Sequence, residues 1–142
     1  MEDIIENVRK NGDQALYAYC EKFDKVSLSD LEVTEEELEQ AMQAIDPALL
    51  GTLQKAAENI RAFHANQVRS GFIVTGENGV VMGQRVLPIE KVGIYVPGGT
   101  AAYPSTVLMN AVPAKLAGCS QIIMVTPPSG SWALFQTSMP MW

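Results

Sequence analysis

Helical spacing through the first half of the chain, a glycine-centred hairpin in the middle and a strand–turn–helix–strand run near the end predict an α/β protein. The order is N-terminal helices, then a β-hairpin, then one βαβ unit, so helices are expected to pack on a small sheet. The 142 residues are about the length of one domain, and a content of 47% hydrophobic and 18% charged residues is sufficient for a packed core.

The first segment, EDIIENVRKNGDQALYAYCEKFD, places Ile4, Ile5 and Val8 on one helical face and Leu16, Tyr19, Cys20 and Phe23 on another. Gly12 fits a helix C-terminus, and Asp13 is placed to cap the next helix with its side chain. The segment reads as two short helices broken at Asn11-Gly12, or as one kinked helix. Residues 24–33 form a connector with little periodicity. Thr34 and Glu37 then make a T-x-x-E capping box, which opens a helix running to about Ile45 with Leu38, Met42 and Ile45 on one stripe. The acidic run Glu35, Glu36, Glu37 favours the helix dipole there and does not form a catalytic pair. Asp46-Pro47 is a second start signal, with a capping carboxylate followed by a proline whose missing N–H costs nothing. The longest helix follows, and Leu50, Leu53, Ala57, Ile60 and His64 fall at helical spacing.

After Ser70 the period changes. GFIVTGENGVVMGQRVL contains two β-rich runs around Gly76–Gly79, a hairpin signal. KVGIYV is of strand length and ends in Pro97-Gly98-Gly99-Thr100. A helix is expected to start near Pro104-Ser105, to be kinked by Pro113 and to stop at Gly118, and QIIMVT follows as a buried strand. A strand–helix–strand unit of this kind is parallel with a right-handed crossover.

Net charge is −6, from 10 basic and 16 acidic residues, with no basic run. This argues against nucleic acid as the main partner, since phosphate neutralisation needs clustered Lys and Arg. No apolar run is long enough to span a bilayer, and the charged start MEDIIENVRK is not a signal peptide. Cys20 and Cys119 read as two reduced thiols of a cytosolic protein.

The glycine turn is neither a G-x-G-x-x-G fingerprint nor a Walker A loop. Two readings stand: a ligand-binding turn at the carboxyl end of a parallel strand, or a tight corner. Tyr95, beside it, reads either as a half-buried strand aromatic or as a platform for a base or ribose. His64 is the one histidine, without HxxxH or HExxH around it, so a complete zinc site is not expected. His64 reads as a helix-face or core residue, and Cys119, without an activating neighbour, as packing.

Residues 129–142, SGSWALFQTSMPMW, carry no charge and hold both tryptophans, Trp132 and Trp142. They offer no helix where a βαβ architecture needs one. They read either as an ordinary apolar terminus or as the product of a reading frame that ended early, the second being preferred. In that case the segment covers a sheet edge or a neighbouring chain.

Taken in order, IIENVRKNGDQALYAYCEKFD, the T-x-E-E-L helix, AAENIRAFHANQ, MGQRVLPIEKVGIYVPGGTAAYPSTVLMNAVPAKLAGC and IIMVTPP closely resemble histidinol dehydrogenase, over residues 3–128. The resemblance implies a fragment of an incomplete Rossmann-like fold related to aldehyde dehydrogenases. Its parts would be residues 1–94 as the helical and hairpin part of a first large domain, 95–128 as the βαβ start of a second, and 129–142 as an apolar tail outside the family. It implies a cytoplasmic homodimer that uses NAD and zinc to oxidise L-histidinol to L-histidine through the aldehyde. The family tyrosine that contacts NAD matches Tyr95. The zinc ligands, the Glu-His catalytic pair and the substrate contacts of the family lie beyond VTPP, so no catalytic or metal residue carries over to this chain. The chain alone is therefore expected to be inactive and to bind neither cofactor tightly. The alternative is a non-catalytic dimeric assembly or a weak nucleotide-binding module.

Overall fold

A computed structural model of the chain describes residues 1–98 and 103–128. The expectations for Gly99-Thr100 and for the segment 129–142 lie outside the described residues.

The N-terminal segment forms two helices, α1 (Glu2–Asn11) and α2 (Asp13–Tyr19), followed by a π-helical turn over Cys20–Asp24. The break comes from Gly12, whose φ of 55° and ψ of −137° are costly for a residue with a Cβ. Gly12 both ends α1 and begins α2, and its N–H donates to the Val8 carbonyl. The Asp13 cap is a correction: Asp13 is already inside α2, no side chain caps that helix, and its charge acts only through the dipole. The Asn7 amide donates to the Tyr19 hydroxyl at 2.9 Å and ties α1 to α2, while the Tyr19 and Phe23 rings stack at 5.6 Å.

The two start signals further on behave as their chemistry requires. In α3 (Glu35–Ala44), Thr34 Oγ1 accepts from the Glu37 N–H at 3.2 Å and Glu37 Oε2 accepts from the Thr34 N–H at 2.9 Å, the reciprocal capping box. In α4 (Pro47–Ala65), Asp46 Oδ1 accepts from Ala48 and Leu49 at 2.7 and 3.1 Å, with Pro47 at the first position.

Strands β1 (Phe72–Thr75) and β2 (Val81–Gln84) pair antiparallel in the register Thr75↔Val81. Their loop holds Asn78 and Gly79 at positive φ and is closed by the Gly76 N–H on the Val80 carbonyl at 2.7 Å. Every residue of both strands is exposed.

Strands β3 (Lys91–Tyr95) and β4 (Gln121–Val125) pair parallel around α5 (Pro104–Leu116). The core lies here. Ile94, Val96, Ala111 and Ile122 are buried together, with Val92, Val107, Ala114, Cys119 and Met124 packed against them. Even-numbered strand residues therefore face α5, and the pleat sends Gly93 and Tyr95 to the other side. α5 runs through Pro113 to its last turn, where a Schellman motif closes it: Gly118 N–H donates to Lys115 and Cys119 N–H to Ala114. Gly118 holds φ at 90° to do so. α4 packs along α5, which makes a layered unit of helix, helix and sheet.

Candidate functional site

The parallel pair sets the geometry of the carboxyl edge. Tyr95 is paired in register with Val125, and the ladder extends one step further through the Val96 N–H on the Val125 carbonyl at 2.9 Å. Val96 turns into the core, so Tyr95 turns out: Val96 is 7% exposed and Tyr95 62%. Tyr95 is therefore not a half-buried strand aromatic: its ring lies exposed on the sheet face opposite α5.

Beyond the strands the two segments close on each other. A Cβ on Gly98 would lie 3.3 Å from both Pro127 Cδ and the Pro127 carbonyl. Such contacts are tighter than side chains normally make, so glycine keeps the post-β3 segment against the post-β4 segment. Pro97 and Gly98 are exposed, Pro127 is half-buried and Pro128 is buried. Tyr103 precedes α5 with no side-chain cap, and Pro104 takes its first position. Exposed ring, exposed turn and helix start thus share the carboxyl edge of a parallel sheet, where ligands of open α/β sheets bind.

The remaining candidates are placed elsewhere. His64 lies in the last turn of α4, half-buried, with Nδ1 2.6 Å from Gln67 Oε1 and its ring edge-on to Phe63. The FHANQ element is thus a local pair. Cys20 is buried at the start of the π-helical turn, where burial first and the Asp24 carboxylate second push its thiol pKa above the ordinary value. Cys119 is half-buried after the α5 stop. Among the described residues no three His, Cys, Asp or Glu side chains gather where they could hold a metal ion, and no buried side-chain N or O lacks a hydrogen-bond partner. No helix of the described residues is long and apolar enough to cross a membrane.

One feature escaped the sequence reading. Between α4 and α5, and reaching the start of β4, lies an apolar groove of about 800 Å³ lined by Leu50, Leu53, Val107, Leu108, Leu116 and Ile122 among others. The apolar stripes of both helices were readable. That they fail to fill the space between them depends on how the helices sit, and no spacing encodes that.

Comparison with known proteins gives a consistent result. The family model described as histidinol dehydrogenase matches residues 1–138. The chain is 55% identical over 125 residues to the histidinol dehydrogenase of Clostridium acetobutylicum, covering 88% of this chain and 29% of that protein. It is 52% identical over 126 residues to that of Listeria innocua, covering 89% and 30%. The chain thus spans about 30% of the length of the curated relatives it matches. A crystal structure of histidinol dehydrogenase from Elizabethkingia anophelis superposes with a TM-score of 0.86 at 40% identity, over 93% of this chain and 30% of that one.

Proposed function

Because the chain belongs to the histidinol dehydrogenase family, we propose that its residues are the amino-terminal part of an enzyme of that kind, which oxidises L-histidinol to L-histidine through the aldehyde with NAD and zinc. The observation that carries this reading is that sequence and backbone agree with the family together, over nearly the whole of the chain.

Tyr95 is assigned to NAD. Its ring is exposed, flat and held at the carboxyl edge by a strand paired along its length, which suits stacking on a base or hydrogen bonding to a ribose. NAD, when bound, supplies the hydride acceptor; this chain supplies one wall of its seat. The described residues do not fit zinc, since no ligand cluster exists among them.

The 142-residue polypeptide alone is inactive in this reading. Alcohol oxidation needs a base for the hydroxyl proton and an electrophile for the oxygen. The one histidine, His64, sits on α4 beside Gln67 and, among the described residues, belongs to no group of three His, Cys, Asp or Glu side chains that could hold a metal ion. Mixed with L-histidinol, NAD and zinc, the polypeptide is expected to form no NADH; steady NADH production abolished by a chelator would overturn this. Titration with NAD tests Tyr95 separately. Because this chain supplies only one wall of the seat, binding by the parent is expected to be weak; saturable binding that is lost in Tyr95→Ala would support the assignment, and equal binding by both would remove it.

The second reading, a dimeric assembly module, is favoured by one observation. The hairpin and the strap after it leave Ile73 79%, Val81 65% and Ile89 70% exposed, apolar surface of the kind a second copy covers. Homodimerisation, cytoplasmic location and the division into parts at 1–94 and 95–128, with its dividing point inside β3, belong to the same proposal. Light scattering that gives a pure monomer at high concentration would remove the dimer.

A further inference from the structure

We draw no further inference here: the strongest candidate, the apolar groove between α4 and α5 lined by Leu53, Val107 and Leu108, carries nothing because nothing in the structure shows what covers it.

Discussion

Gly118 shows how one residue ends an element and points the next. It holds φ at 90°, and its N–H and that of Cys119 close the last turn of α5. A Cβ there would meet Pro88 only at 3.5–3.6 Å, ordinary contact, so the cost of Gly118→Ala is backbone strain. That cost is about 1–2 kcal/mol, to be read as a lower urea midpoint at unchanged slope. Cys20 governs a different variable. Burial and Asp24 raise its pKa in the folded chain above the ordinary 9.0. The unfolded chain therefore ionises first as pH rises. The stability tied to the neutral thiol is full below about pH 9 and is lost above it, as pH climbs through the folded value. Thermal unfolding across this window is expected to fall less steeply for Cys20→Ala than for the parent. Both residues were visible as a glycine and a cysteine; their φ and burial were not.

The two capped helices were readable almost in full, because a cap is a local contract between a side chain and backbone groups three residues away. Asp46→Ala leaves the Ala48 and Leu49 N–H groups without their acceptor and should cost about 1 kcal/mol. Asp13 was misread because a glycine with special dihedrals satisfies both helix ends at once, and composition alone makes Asp the better candidate. The hairpin was readable as a hairpin but not as an exposed one. Its apolar residues have the same pattern as those of a core strand, yet Ile73 is 79% exposed while Ile94 in β3 is 7%. Ile94→Ala should therefore cost about 3 kcal/mol, and Ile73→Ala should stay within about 0.5 kcal/mol, both by urea unfolding.

At the scale of the molecule, packing is concentrated in α4, α5, β3 and β4, while the hairpin contacts chiefly itself. Hydrogen exchange should follow that division, with β3 and β4 amides protected near the global level and those of β1 and β2 exchanging through local opening. Uniform protection across both sheets would contradict this. By itself the sequence determined the element order, the parallel βαβ unit, the two capped helix starts and the family, because each is written in short-range periodicity, in caps and turns, or in an ordered set of motifs. Only the tertiary structure decided that Tyr95 faces outward from the α5 side, that His64 is engaged by Gln67, and that a groove stays open between α4 and α5. These follow from how faces meet across tens of residues, and side-chain burial there is a property of the neighbour as much as of the residue.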